Sequence, residues 1–387
     1  MTRPLEGITV LEIAQYLSGP FAGLKLADLG ARVIKVERPG TGDPCRGLYI
    51  SDPVAGENTL FHAINRGKES LTADLRDPAD RALLMDIIRD ADVLIQNFRP
   101  GVIERQGLGH DEVRGINPNL VYGSISGFGP TDWANLPGQD LLAQARSGLM
   151  WLSGSRDDPP MPMGLAVADI LAGEALAQGI LAALVGVGRG LPGAHVETSL
   201  IEALISFQFE VLTTHLNDGG KPPERAAVNG AHAYIGAPYG VYPTRDGWLA
   251  LAMVPSLAGL GDLMNIPALA PYATDPSAAR RDRDAIKALI AQATPARSTA
   301  EWLSVLQPAD IWCAEVLDWP GLMQRAAFRQ LDMIRPMGGL KTVRGPLRLD
   351  GAPLAVGTGA PALGADRSRI VEEFGPHKAR AATTGGM

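Results

Sequence analysis

Residues 7–37 constrain the fold more than any other stretch. "GITVLEIA" (7–14) is an apolar run of strand length, "GPFAGLKLADLG" (19–30) has helical spacing, and "ARVIKVE" (31–37) is a second buried strand. A strand–helix–strand unit with short connections is the signature of a parallel sheet. The pattern continues. "ESLTADL" (69–75) reads as a third strand, "DPADRALLMDIIRDA" (77–91) as an amphipathic helix, "DVLIQNF" (92–98) as a fourth strand and "NLVYGSISGFG" (119–129) as a fifth. Asp77 is placed as the helix N-cap, with Pro78 at the first helical position. The expected fold is α/β, an open doubly wound, Rossmann-like parallel sheet.

Beyond residue 130 the texture changes. Residues 139–187 are rich in small residues and read as helical, interrupted by a proline loop, "DDPPMPMG". "GAHVETSLIEALISFQFEVLTTHLN" (193–217) adds a strand-like start and a long helix. The polar connector "NDGGKPPERAAVNG" (217–230) reads as a boundary. "YGVYPTRDGWLALAM" (239–253) has the shape of a β-hairpin turning at "TRDG", and helical material fills 256–305. The reading is therefore a large α/β domain over 1–217, a smaller α+β domain over 228–315, and a return segment over 316–387 that completes the large domain. The return segment, Pro/Gly-rich at "GPLRLDGAPLAVGTGAPALGAD", is expected to be extended.

Bulk chemistry narrows the function. A net charge of −7 argues against a general nucleic-acid binder. Two widely spaced cysteines, Cys45 and Cys313, make neither a disulfide framework nor a zinc knuckle, and fit a reducing cytoplasm. The start has no signal-peptide pattern, and the most apolar run, "GILAALVGVG" (179–188), is too short to span a bilayer. His62, His110, His195, His215, His232 and His377 show no metal-ligand spacing, so no metal site is expected.

Three constellations carry chemistry. The first turn, "AQYLSGP" (14–20), with Glu37 roughly 20 residues on, invites a dinucleotide reading in which Glu37 binds a ribose. The G-x-G-x-x-G fingerprint is absent, since only Gly19 and Gly23 are available, which speaks against NAD. Arg38 and Arg46 flank a Pro/Gly turn at the C-terminal end of a strand, where arginine forks suit phosphates. "GLAVADILAG" (164–173) puts a single acid, Asp169, among apolar residues and glycine. Gly164, Ala166, Ala168, Ala172 and Gly173 would leave room for a ligand, and a poorly solvated carboxylate is reactive. Asp is also a common helix cap, here for a helix beginning at Ile170. The residues alone leave both readings open.

"VLEIAQYLSGPFAGLKLADLGARVIKVERPGTGDPCRG", "NRGKESLTADLRDP", "ADVLIQNFRPGVIERQGL", "NPNLVYGSISGFG", "DLLAQARSGLM" and "APYGVYPTRDGW" resemble, nearly end to end and in order, the family III CoA-transferases. That family includes formyl-CoA transferase, carnitine CoA-transferase and α-methylacyl-CoA racemase. The resemblance implies an acyl-CoA:carboxylate CoA-transferase with Asp169 as nucleophile, passing through an aspartyl–acyl anhydride and an aspartyl-CoA thioester. It implies that Gln15 faces the catalytic centre and that Arg38, Arg76, Asn97, Phe98 and Arg105 bind CoA. Coenzyme A or acyl-CoA is then a substrate, with no tightly bound cofactor. The partners are a small-molecule carboxylate and a second copy of the chain, in an interlocked homodimer, with neither nucleic acid nor membrane.

Two departures from formyl-CoA transferase stand out. Pro137 replaces a phosphate-binding lysine, and "AVNGAHAYIGAPYG" stands where a glycine-run loop would cover the site. The racemases use a His–Asp dipeptide whose histidine is a base. Here the pair is Gln139–Asp140, and an amide cannot take that proton, which favours transfer over racemisation. Gln139 is left as a carboxylate-binding residue or a polar helix start. A CoA-binding regulatory protein without chemistry is the remaining alternative, opposed by the presence of Asp169 and Gln15. The expected substrate is a small di- or hydroxycarboxylate such as succinate or a branched C5 diacid, with Gln139, Asp140, Arg146 and His232 as candidates to hold it.

Overall fold

The computed structural model describes residues 3–48, 58–273, 275, 277–337 and 339–375; His377 lies outside them. The chain folds into two units. The first is Met1–Ala143, Leu165–Ser206 and Leu331–Met387; the second is Gln144–Gly164 and Phe207–Gln330. The sequence reading kept the first unit unbroken to 217 and began the return at 316, so the boundaries differ. The proline loop goes with the second unit for a physical reason. Its carbonyls need donors, and Arg225 supplies them, bonding Ser153 O at 2.7 Å, Arg156 O at 3.1 Å and Asp158 O. Gln208 Nε2 adds a bond to Ser147 O at 3.1 Å.

The first unit is built on six parallel strands, β1 (Thr9–Ile13), β2 (Arg32–Glu37), β3 (Glu69–Thr72), β4 (Val93–Gln96), β5 (Val121–Ser126) and β6 (His195–Ser199), in the order β3-β2-β1-β4-β5-β6. This is the order of doubly wound dinucleotide-binding sheets. It reverses between β1 and β4, where a crevice forms at the strands' carboxyl ends. Helices α1 (Ser18–Asp28), α2 (Thr59–Asn65), α3 (Pro78–Asp90), α4 (His110–Arg114), α5 (Asp140–Arg146) and α6 (Val167–Val187) accompany it. Strands covered on both faces read as continuous apolar runs, and Leu11, Ile34, Leu71 and Leu94 are fully buried. Asp77 caps α3 as expected, accepting from the N–H groups of Ala79 and Asp80 at 2.8 and 3.0 Å.

The strand-like start of 193–217 is β6, and the long helix expected after it is two helices, Leu200–Phe207 and Phe209–Asn217, interrupted at Gln208. The apolar run 179–188 lies within α6 up to Val187, and the helix's 21 residues are long and apolar enough to cross a membrane by length and composition. The sequence reading took 139–187 as helical but counted only the contiguous apolar run when it weighed a span. One such helix is weak evidence of a span. This one packs its small-residue stripe, Ala168, Ala172, Gly173, Leu176 and Ala177, inward, against α1, β5 and β6.

The returning chain is stitched to the sheet's β3 side. Val356 N–H donates to Asp28 at 3.0 Å, and Gly364 N–H to Ser70 Oγ at 2.8 Å. It contains a helix, Arg367–Phe374, that the sequence reading did not foresee; Ile370 and Phe374 join the core beside Leu71 and Leu84. In the second unit the predicted hairpin is present as β7 (Gly240–Pro243) and β8 (Trp248–Leu251), joined by β9 (Cys313–Glu315). Its core gathers Tyr242, Leu249, Leu260, Ile286 and Trp302. Lys287, fully buried, ties the preceding loop by donating to Asn229 O and Tyr239 O at 2.9 and 2.6 Å.

An ionic cluster interrupts the first unit's apolar interior. Glu12 on β1 is inaccessible to solvent and bridges two inaccessible lysines, Lys35 Nζ at 3.1 Å and Lys68 Nζ at 2.7 Å. Lys35 also meets Asp43 at 2.8 Å and Ala14 O at 2.9 Å, and Lys68 meets Pro20 O at 2.7 Å. Burial pulls the Lys68 ammonium down, to about 8, against the attraction of Glu12; for Lys35 burial is outweighed by Glu12 and Asp43, and it stands at about 12. A Cβ on Gly23 would lie 1.9 Å from Glu12 Oε2, so α1 needs glycine there. Removing one partner of a buried pair typically costs about 3–5 kcal/mol. Glu12→Gln is therefore expected to lower unfolding stability by about 3 kcal/mol, read from the urea midpoint. A midpoint within error of wild type would show that the cluster is not structural.

Candidate active site

The first turn of the sheet is held in an unusual conformation. Tyr16 adopts φ of 62°, the left-handed region that non-glycine residues seldom occupy. The surroundings hold it there. Asn97, just after β4, closes a two-way pair with the main chain of Gln15, accepting its N–H at 2.8 Å and donating to its carbonyl at 2.8 Å. Asp43 Oδ1 accepts the Tyr16 N–H at 3.1 Å, and Asp43 is itself fixed by Lys35. Gly19 lets the turn close, since a Cβ there would sit 2.5 Å from Ala14 Cβ and 3.3 Å from Asn97 Cγ. Gln15, half-buried, and Ser18, buried, are thus presented at the crevice between β1 and β4.

Asp169 stands in the first turn of α6. The helix starts at Val167 with Ala166 as N-cap and no side-chain cap, so Asp169 is not the capping residue. Asp140, at the start of α5, does that work, accepting the Ala168 N–H at 2.7 Å. Burial pushes the Asp169 carboxyl up, to about 6; the nearby Asp140 charge pushes the same way, and the Ser18 hydroxyl, donating to the carboxylate, opposes both. Gly173 permits the approach of α6 to α1, since a Cβ would meet Ser18 O at 2.7 Å and Phe21 Cβ at 3.2 Å. Ala168, Ala172 and Gly173 face inward. Ala168, Ala172 and Gly173 therefore serve helix packing, while Gly164 and Ala166 lie off that packed face and a Cβ on Gly164 would meet nothing within 4 Å.

The remaining candidates divide by location. Arg38 directly follows β2, and Asn97 and Phe98 directly follow β4, at the carboxyl edge of the sheet; Arg76 and Arg105 lie further along the chain after β3 and β4. Arg38 and Arg105 are exposed. Arg76 is exposed and pairs with Asp74 through two bonds of 3.1 Å. Phe98 is half-buried against the core. Gln139 is exposed, preceding α5. Arg146 and His232 belong to the second unit, where His232 lies 3.4 Å from Glu210 and accepts the Tyr234 N–H at 3.1 Å.

Two residues have other roles than expected. Glu37 does not await a ribose. It is buried and bonded by Arg46 at 2.8 Å, by Ser70 Oγ at 2.7 Å and by the Asp43 N–H at 3.1 Å. Arg46 is likewise committed to Glu37 and to Pro361 O, and lies 3.8 Å over the Phe61 ring, so it is not a free phosphate fork. Ser18, Glu12, Lys35, Lys68 and Asp43 were not singled out from sequence. Glu12 and Lys35 had left a sign, as charged residues inside "TVLEI" and "RVIKVE"; the contact of Ser18 with Asp169 joins residues 151 positions apart and left none.

Comparison with known proteins agrees with this architecture. The profile of CoA-transferase family III matches residues 5–367. The chain is 33% identical to an acetyl-CoA:oxalate CoA-transferase of Acetobacter aceti, over 97% of each chain. It is 42% identical to a succinate–glutarate CoA-transferase of Agrobacterium fabrum, over 65% of this chain and 63% of that one. A crystal structure of a CAIB/BAIF family protein from Brucella suis superposes with a TM-score of 0.85 at 32% identity, covering 97% of this chain and all of the other. A family match over residues 5–367 and relatives of this identity and length leave one assignment: the chain belongs to the family III CoA-transferases and is a CoA-transferase.

Proposed function

We propose that the enzyme moves CoA between small dicarboxylic or hydroxycarboxylic acids with Asp169 as the covalent carrier. The observation that carries this reading is the carboxyl of Asp169 itself: partly buried, facing Ser18, beside Asp140, and raised to about 6. A carboxylate of that basicity is largely ionised at neutral pH and poorly solvated, the condition for a reactive nucleophile. The relatives named for oxalate and for succinate and glutarate support a diacid acceptor.

The steps balance as follows. The Asp169 carboxylate attacks the thioester carbonyl of acyl-CoA; the C–S bond breaks, CoA leaves as thiolate, and an aspartyl–acyl anhydride remains. The thiolate attacks the aspartyl carbonyl and expels the first acid. The acceptor carboxylate attacks the resulting aspartyl-CoA thioester; the C–S bond breaks, CoA leaves again as thiolate and a second anhydride remains, and the thiolate attacks the acceptor's carbonyl to release acceptor-CoA and free Asp169. In this reading Gln15 and the exposed Gln139 hold carbonyl or carboxylate oxygens. Asp140 positions α6. Arg38, Arg76 and Arg105 supply charge to the CoA phosphates through charge-assisted bonds. Asn97 acts through the main chain of Gln15, and Phe98 lines the nucleotide. Gln139 offers no base for α-proton exchange, which weighs against racemisation.

Asp169→Ala is expected to abolish transfer while CoA binding, read by calorimetry, survives. In the wild type, turnover should fall as pH drops through about 6, where the carboxylate takes up its proton. Wild-type turnover in Asp169→Ala would rule out the carrier role.

The same shift has a stability consequence. The carboxyl titrates near 3.8 when unfolded and about 6 when folded, so between those values the folded state holds the extra proton. Stability then falls as pH rises through that window, and the cost is complete above it. Asp169→Asn is expected to gain on the order of 2 kcal/mol at neutral pH and nothing below about pH 4. Urea midpoints at both pH values measure it, and a gain at acid pH alone would contradict the assignment.

The dimer of two interlocked chains is proposed on two grounds. The chain leaves the first unit twice and returns from residue 331, so each chain can form an open ring. Large apolar side chains also stand bare on the single chain, including Phe209, Leu216 and Trp319 at 71, 72 and 79% exposure. Light scattering should give twice 40.9 kDa at every concentration down to the nanomolar range, since interlocked chains cannot separate while folded. A folded, active monomer would exclude this assembly and leave the chemistry standing.

A further inference from the structure

A cavity of about 450 Å³ lies in the second unit, walled by the segment 218–224, by Tyr234, by Arg156 and by the run 280–285. Most of its charge is matched internally. Arg156 pairs with Glu224 at 3.0 Å and with Asp284; Arg281 pairs with Asp275 and Asp282 at 2.8 Å each; Arg283 meets Asp284 at 3.4 Å. Four groups are left over. Among the described residues Lys221 and Arg280 have no ion-pair partner. Asp218 Oδ1 and Tyr234 Oη are buried and make no hydrogen bond. The tyrosine lies in the fields of both Asp218 and Arg280.

A buried polar atom without a partner is expensive, and such atoms in native proteins call for an explanation such as a ligand or ion. Here the leftover groups define a complement. Lys221 and Arg280 call for two negative charges, Tyr234 Oη for an acceptor, and Asp218 for a donor. The cavity volume falls in the range of small-molecule sites. We propose that this cavity binds a small dicarboxylate that carries one hydrogen-bond donor on its carbon chain. One carboxylate is taken by Arg280 and Tyr234 Oη, the other by Lys221, and the donor by Asp218. The site is built from second-unit residues alone and uses neither Gln15, Ser18, Asp140 nor Asp169, so it goes beyond the transfer reaction.

Four-carbon diacids that differ only in the donor provide the test. Full-length Asp169→Ala protein is titrated calorimetrically with malate, aspartate and succinate. Malate or aspartate is expected to bind once per chain, about tenfold or more tighter than succinate. A preference for malate identifies a hydroxyl donor and a preference for aspartate an ammonium; either supports the site. Arg280→Ala, a change at an exposed residue, should weaken the preferred ligand about tenfold with the thermal midpoint unchanged. Asp218→Asn should erase the advantage over succinate. Succinate binding as tightly as both others, binding that survives Arg280→Ala, or no binding of any of the three at millimolar concentration would overturn the proposal. Because the test is made in protein without Asp169, failure of the carrier role and failure of this site are separately visible.

Discussion

The Glu12 carboxylate, sealed between Lys35 and Lys68, is the contact on which the first unit turns. An apolar residue at position 12 would serve the sheet's core at least as well, because a buried ion pair seldom outperforms good hydrophobic packing in stability. What the cluster adds is position. Lys68 reaches the carbonyl of Pro20 and Lys35 that of Ala14, while Lys35 also fixes Asp43, which accepts the Tyr16 N–H. Three main-chain points around a strained turn are thereby referred to one buried anion. The turn in turn places Gln15 and Ser18, and Ser18 meets Asp169.

The second organising choice is the use of very small residues wherever α6 meets its neighbours. Gly173 lies under α1, Gly179 over Val196 of β6, and Gly123 of β5 under Leu176 and Ile180. The helix is brought close enough for its first turn to share a polar environment with the start of α1. Asp140 then settles the orphan N–H of Ala168 from a different helix. An acid at the start of α6 would ordinarily be stabilised by the helix dipole. Burial and the neighbouring acid outweigh that here, and the carboxyl is more basic for it.

Much of the fold was legible in the sequence because the relevant signals are local. Strand-length apolar runs and short links gave the parallel sheet, "DPADR" gave a capped helix, and "TRDG" gave a hairpin. What escaped was set by contacts distant in sequence. The loop 144–164 looks like an insertion in the first unit and is bound to the second through Arg225, some 70 residues on. The helix at 367–374 hides in a tail whose composition suggests extension. At the site, Asp169 was legible as an anomaly and through its family resemblance. Its environment was not: Ala168, Ala172 and Gly173 pack against other elements, and the charge that matters, Asp140, is 29 positions away. Glu37 shows the converse error, an acid at the expected spacing whose partners, Arg46 and Ser70, make it structural.

The raised basicity of Asp169 also bears on which way the anhydride of the proposed sequence opens. An anhydride joins two carboxyl groups, and incoming thiolate can strike either carbonyl, displacing the opposite carboxylate. The more acidic partner departs more readily. Simple aliphatic acids in water are stronger acids than a carboxyl raised to about 6. The substrate's carboxylate is therefore the better leaving group from either anhydride: attack at the aspartyl carbonyl advances the first half of the cycle and opposes the second, in which Asp169 itself must leave. The burial that costs the enzyme stability at position 169 thus tilts both anhydrides toward the aspartyl-CoA thioester, the point at which two mirror-image half-reactions meet.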